Sequence, residues 1–351
     1  MLENQKNKLA IKFCQKLKIV ISCVIFLLVD NQANELFSQV FSEQNYRMML
    51  ITVDKSGTGD FSSVTEAIQS LPDSATLFVT ILVKKGVYKE KLVVPDIHTR
   101  ILIKGENIDS TIITYDDFSG KIVGNDTLTT FGTCSVRIKA DHFVAQDISF
   151  ENNAGNVGQA VAIEINSDKV RFINCRFLGN QDTFFANSFG RIYLQNCYIE
   201  GTTDFIFGKS TVLFEDCVIM SKKDSYITAA STPEESSYGF VFKNCRLIAE
   251  DSVAKVHLGR PWRDYAKVVF IECNEGSHIL PEGWHNWSKP WREKSATYAE
   301  YNCTGPGFKP TARVAWSHQL TPEEASKYIS EKIFARQKSG GALKDDWMVS
   351  E

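Results

Sequence analysis

Five segments of this 351-residue chain repeat one pattern, a polar residue and a cysteine set between apolar flanks. They are RFINCRF (171–177), YLQNCYI (193–199), LFEDCVI (213–219), VFKNCRL (241–247) and VFIECNE (269–275). Cys175, Cys197, Cys217, Cys245 and Cys273 follow one another at intervals of 22, 20, 28 and 28 residues. FVAQDISFEN (143–152) has the same shape, with Ile148 where the cysteine falls. Repeats of this length, each too short to bury a face alone, indicate a solenoid. The segments alternate apolar and polar residues without helical periodicity, so the coils are built from strands. The expected fold is all-β, a right-handed parallel β-helix in which equivalent strands stack about 4.8 Å apart. The cysteines then form an internal ladder and act as small buried hydrophobes. No C-x-x-C or Cys/His spacing suited to zinc occurs, so no metal is expected.

A coil stack exposes a raw edge at each end, and short capping helices are expected to cover both. GTGDFSSVTEAIQSLP (57–72) reads as the first, with Ser62 or Ser63 as N-cap and Pro72 as its stop. TPEEASKYISEKIFARQ (321–337) reads as the second, with Thr321, Pro322 and Glu324 forming a capping box.

The N-terminus reads differently. A lysine-rich start precedes the apolar run IVISCVIFLLV (19–29), which fits a secretory signal and is short for a membrane span. An uncleaved anchor and a buried segment are the alternatives. Residues 1–47 are therefore assigned to the signal and leader, and 48–351 to one domain that is secreted or periplasmic. A formal net charge of -3 offers no basic field for nucleic acid. No membrane partner is expected once the leader is gone, and the protein is expected to act as a monomer.

Two loops put an aspartate among aromatic and small residues: GNQDTFFA (179–186) and GTTDFIFG (201–208). Asp182 and Asp204 each lie seven residues after a ladder cysteine, which stacks them in adjacent coils. Two carboxylates so placed are expected to move apart in pKa, one up and one down, giving an acid and an anion. Asp224 also lies seven residues after its cysteine, so spacing leaves a second pair open. The aromatic setting favours Asp182 and Asp204. Gln181 adjoins Asp182, and Gln159 lies 22 residues upstream. Their neutral amides suit an oxyanion. In HLGRPWRDY (257–265), Arg260 or Arg263 is placed to pair with a carboxylate. Trp262, Trp284, Trp287 and Trp291 cluster as faces suited to sugar rings or as core. No G-x-S-x-G elbow is present, which argues against a serine esterase.

Taken together, GVYKEKL (86–92), GQAVA (158–162), GNQDT (179–183), DFIFG (204–208) and LGRPW (258–262) resemble the pectin methylesterase (pectinesterase) family, in the family's order. YITAASTPEE and GWHNW look closer to its short bacterial forms, without an inhibitory pro-region. The resemblance implies a carboxylic ester hydrolase that removes methyl esters from homogalacturonan and needs no cofactor. It implies Asp204 as nucleophile, Asp182 as proton donor and then base, Gln181 and Gln159 as oxyanion donors, and Arg260 as the group that orients Asp204. Thr130 (in LTTFGT) and Trp262 are implied to contact the sugar chain, with Gln159, Arg260, Trp284, Phe205 and Tyr226 completing the expected substrate set. A β-helix glycosidase or lyase and a non-catalytic carbohydrate-binding solenoid are the competing readings.

Overall fold

The structure is a computed structural model. It describes residues 47–72, 77–98 and 100–335, and the backbone alone of 337–338 and 341–342. The expected signal segment lies outside the described residues. Among the described residues no helix is long and apolar enough to cross a membrane.

Three parallel sheets make up the β-helix, besides two small antiparallel ribbons, Ile122–Val123 with Asp126–Thr127 and Gln337–Lys338 with Gly341–Ala342. Sheet A has eleven strands, from Arg47–Val53 to His318–Gln319. Sheet B has eight, from Gly86–Lys89 to Asn274–Glu275, and sheet C has seven, from Leu92–Val94 to His257–Gly259. One coil runs through Val170–Ile173 in A, Arg176–Leu178 in B and Phe184–Ala186 in C, then enters Arg191–Gln195 of the next coil. Phe172 pairs with Leu194, Arg176 with Tyr198, and Phe184 with Ile206. This is the parallel β-helix expected from the repeat.

The polar-Cys pair is the corner between sheets A and B. The residue before each cysteine is left-handed: Asn174 (φ 51°), Asn196 (53°), Asp216 (56°), Asn244 (54°) and Glu272 (54°). Turning a corner in two residues needs that conformation, and Asn and Asp adopt it most readily. The next side chain points inward, where space suits a thiol. Cys197 Sγ donates to the Phe172 carbonyl at 3.4 Å, and Cys245 Sγ to that of Phe214 at 3.4 Å. Burial pushes the Cys197, Cys217, Cys245 and Cys273 thiols well above their ordinary value, so they stay protonated. Ile148 fills the preceding rung after left-handed Asp147, and Cys303 adds a rung after left-handed Asn302. Phenylalanines pack beside the ladder: Phe214, Phe242 and Phe270 stack at 4.3 and 4.4 Å between ring centres.

The first cap is the helix Val64–Gln69, whose N-cap Ser63 accepts the Glu66 amide at 3.1 Å. At the other end Thr321 and Glu324 form the expected capping box, but the expected single helix is two short ones, Pro322–Ala325 and Ser330–Ile333. The Tyr238 hydroxyl donates to the Lys327 carbonyl at 2.9 Å, and Tyr328 packs edge-on against the Tyr238 ring. Sheet-side partners thus take over the backbone between the two helices.

Glu275 and Glu300, in successive coils near the C-terminal end, are both fully buried around Arg313. Arg313 donates to Glu275 at 2.6 Å and to Glu300 at 2.9 and 3.0 Å. Burial first, and then the charge of Glu300, hold the Glu275 carboxyl well above the usual carboxylate range. Removing the cation leaves buried carboxylates uncompensated, so Arg313→Met is expected to lower unfolding stability by about 3–5 kcal/mol in a urea titration. A carboxyl raised by folding contributes most below its unfolded value and loses that contribution as pH rises. Wild-type stability at this end should therefore weaken toward alkaline pH.

Candidate active site

The loops that join sheet B to sheet C carry both aspartates. Asp182 (φ 68°) and Asp204 (φ 49°) are themselves left-handed, in register one coil apart. The Asp182 amide donates to the Thr203 carbonyl at 3.2 Å, and the Asp204 amide to that of Tyr226 at 2.8 Å. Coil-to-coil hydrogen bonds thus hold two strained residues, a pattern that concentrates at functional sites. Before each aspartate a glycine stands at or just past the end of the sheet B strand, Gly179 and Gly201, and the tight turn leaves no room for a side chain there. A Cβ on Gly201 would stand 2.2 Å from the Phe205 Cβ, and one on Gly179 would stand 2.6 Å from the Thr183 hydroxyl.

Asp182 is 8% exposed and Asp204 6%. Arg260 grips Asp204 with two parallel hydrogen bonds, Nε to Oδ1 at 2.9 Å and a terminal nitrogen to Oδ2 at 2.7 Å. Its guanidinium carbon lies 3.9 Å from the Tyr226 ring centre and 3.7 Å from that of Trp287. The cation is therefore clamped between two aromatic faces while it holds the carboxylate. The Asp182 carboxyl has no hydrogen-bond partner among the described residues.

The electrostatics differ in one respect from the expected split. Burial pushes Asp182 well above the ordinary aspartate value, with the Asp204 charge adding to the rise and Arg260 opposing it. Burial raises Asp204 too, and the hydrogen bonds and charge of Arg260 pull it back. Both values rise because both carboxyls are desolvated. The order is still acid at Asp182 and anion at Asp204.

Asp224 does not join the pair. Sheet C pairs Ile206 with Thr228, so Tyr226 rather than Asp224 faces Asp204, the loop being two residues longer in that coil. Asp224 is exposed and accepts the Ala254 and Lys255 amides at 2.8 and 2.9 Å, which hold its carboxyl below the usual value.

Gln159 and Gln181 pair across the two preceding coils, and the Ala160 amide donates to the Gln181 carbonyl at 3.0 Å. Their side-chain amides have no partner among the described residues, so both donors remain available beside the aspartates. On the outer face of sheet C, Phe185 and Phe207 stack at 4.2 Å with rings 2° from parallel. Trp262 packs against both, at 6.5 and 6.0 Å. Thr130 is half-buried in the turn Thr130–Gly132, whose Phe131 is 54% exposed and 5.9 Å from Phe185. Phe185 (1% exposed) and Phe207 (4%) are themselves buried, so the aromatic surface beside the carboxylates is that of Trp262 and Phe131, which cover them.

Two expected substrate contacts are corrected. Trp284 is 1% exposed and packs in the core against Phe270 and Tyr298. Phe205 is fully buried in the same core, because the left-handed turn at Asp204 sends the next side chain inward. Tyr226 is half-buried with its ring under Arg260, so it serves the cation. Trp287, which the sequence offers only as one tryptophan of a cluster, supplies the opposite face. Arg263 is exposed, lies over Trp262 and makes no ion pair with either aspartate.

The family model for Pectinesterase matches residues 50–337. The chain belongs to the pectinesterase family. It is 38% identical over 287 residues to Pectinesterase 31 of Arabidopsis thaliana, covering 80% of this chain and 90% of that one. Among solved structures, pectin methylesterase from carrot superposes with a TM-score of 0.76 at 32% identity, covering 81% of this chain and 92% of that one. A pectin methylesterase in complex with a hexasaccharide superposes with a TM-score of 0.71 at 26% identity, covering 83% and 97%. In this pectinesterase GQAVA, GNQDT and DFIFG fall on three successive coils, while GVYKEKL lies two coils before them and LGRPW two coils after.

Proposed function

We propose that this pectinesterase removes methyl esters from homogalacturonan, with Asp204 as nucleophile and Asp182 as proton donor and then base. The observation that carries the reading is a carboxylate fixed by a clamped arginine, one coil from a buried carboxyl that lacks partners. An Asp204 oxygen attacks the C6 ester carbonyl. Gln159 and Gln181 donate to the oxyanion, one such donor being worth about 3 kcal/mol. The C6–methoxy bond breaks, and the leaving oxygen takes the Asp182 proton as methanol forms. Water then gives a proton to Asp182 and its hydroxyl to C6, and Asp204 departs as a carboxylate. The galacturonic acid formed ionises, so each turnover releases one proton.

Phe131 and the half-buried Trp262, packed over the buried Phe185 and Phe207, offer apolar faces to sugar rings and ester methyls, with Thr130 at their margin. Acting on a wall polymer, the domain 48–351 works outside the cytoplasm, and the lysine-rich apolar start supports export. With highly methylated pectin the purified chain is expected to release methanol and protons one for one, without shortening the polymer. Shortened chains or unsaturated ends would move the reading to a glycosidase or lyase, and binding without product to a carbohydrate-binding solenoid.

A further inference from the structure

The turn that carries Trp287 holds two consecutive left-handed residues, neither of them glycine: Trp287 (φ 60°) and Ser288 (φ 53°). Such residues are disfavoured in the left-handed region, so the turn needs anchors. Side chains supply them. The Trp287 amide donates to His285 Nδ1 at 3.1 Å, and the Ser288 amide donates to Asn286 Oδ1 at 2.9 Å. Asn286 Nδ2 in turn donates to Glu293 at 2.6 Å. The His285 ring also lies 5.6 Å from the Tyr226 ring, so His285 contacts both residues that clamp Arg260.

An imidazole nitrogen that accepts a hydrogen bond carries no proton. A second proton would turn Nδ1 into a donor facing another donor, and the anchor of Trp287 would be lost. We propose that neutral His285 is a positioning residue for ester hydrolysis, locking Trp287 over Arg260, and that acid releases this lock. This rests on Arg260 holding the nucleophile Asp204.

The surrounding charges favour the neutral form. Burial and the Arg260 cation hold His285 below the ordinary imidazole value. His257, whose ring is 5.6 Å away, is pushed down to about 4 by burial and then by His285. Glu282, 3.9 Å from His257 Nε2, opposes that fall. Glu293 is engaged by Asn286, Asp204 lies across Arg260, and Tyr226 presents its ring. Because the value is lowered, His285 accepts from Trp287 at neutral pH and gains its proton only as pH falls below the ordinary imidazole range.

Two variants test the lock. In His285→Ala the acceptor is gone, and kcat for methanol release should fall roughly ten- to a hundred-fold at neutral pH. In His285→Asn the side-chain oxygen can accept the amide two residues on, as Asn286 does for Ser288, without titrating. That variant should keep kcat within about threefold of wild type, and the acid limb of its pH profile should move to lower pH. A substrate-free measurement runs beside the kinetics. The Trp287 indole N–H resonance, assigned by its loss in Trp287→Phe, should titrate in wild type and stay fixed in His285→Asn. The proposal is overturned if His285→Ala keeps the wild-type rate and acid limb, or if the resonance titrates alike in both proteins. A wild-type chain that releases no methanol sinks the hydrolytic reading instead, and the resonance then decides the lock alone.

Discussion

Replacing Asp204 by asparagine is expected to reduce kcat for methanol release by roughly 10⁴-fold or more, the scale of losing a nucleophile from a concerted set. Asparagine is the right probe because Asp204 is left-handed (φ 49°), a conformation that asparagine tolerates and alanine does not. Its side-chain oxygen can still accept from Arg260, and its shape preserves the packing above Phe205. The fold should survive. Burial raises the Asp204 carboxyl in the folded protein, so its contribution to stability is complete below the unfolded value and declines as pH rises. At neutral pH the neutral amide should therefore leave the thermal midpoint at or above that of wild type. The same variant should lower the pKa of Asp182, since the Asp204 charge is the second cause of its rise. Methanol release at the wild-type rate by a folded Asp204→Asn protein would remove Asp204 from the nucleophile's role.

The part of this site legible in the sequence is the part fixed by backbone repetition. A ladder position recurs at a constant offset, so Asp182 over Asp204 follows from counting along the ladder, whereas Gln159 meets Gln181 from a coil with a longer loop after Ile148. Counting fails where a loop changes length. Two extra residues after Cys217 carry Asp224 out of register and leave Tyr226 in its place. Cys303 escapes the count for a related reason: an isolated bridge at Thr304 follows it rather than a strand of sheet B. Side-chain direction is harder still. Trp284 and Trp287 are three residues apart in one cluster, and only the turn between them sends the first into the core and the second onto Arg260. That turn carries no glycine, Asn or Asp at its two left-handed positions, so the His285 anchor left no signal in the sequence. Nothing in the sequence marks Glu275, Glu300 and Arg313 as a buried cluster, because their partners arrive from other coils.

Asparagine at position 182 separates the second chemical role from the first. The Asp182 carboxyl has to be protonated when methoxide leaves and ionised when water attacks, so its loss should slow both half-reactions, by about 10²- to 10⁴-fold overall. In wild type the productive state has Asp204 ionised and Asp182 protonated. Burial raises both, but Arg260 restrains Asp204, so that state fills the pH interval between the two. As pH falls, His285 and Asp204 gain protons and the rate drops; as pH rises, Asp182 loses its proton and the rate drops again. The residual activity of Asp182→Asn should therefore lack the alkaline limb and keep the acid one. Its intermediate should also persist. Asp204 is still present and can attack, while no base remains to activate water against the acyl group. Mass spectrometry of Asp182→Asn quenched with a methylated oligogalacturonide should find the sugar chain attached to the protein, and Asp204→Asn should show none. Adducts on both variants, or an unchanged alkaline limb in Asp182→Asn, would mean that the two aspartates do not divide the reaction in this way.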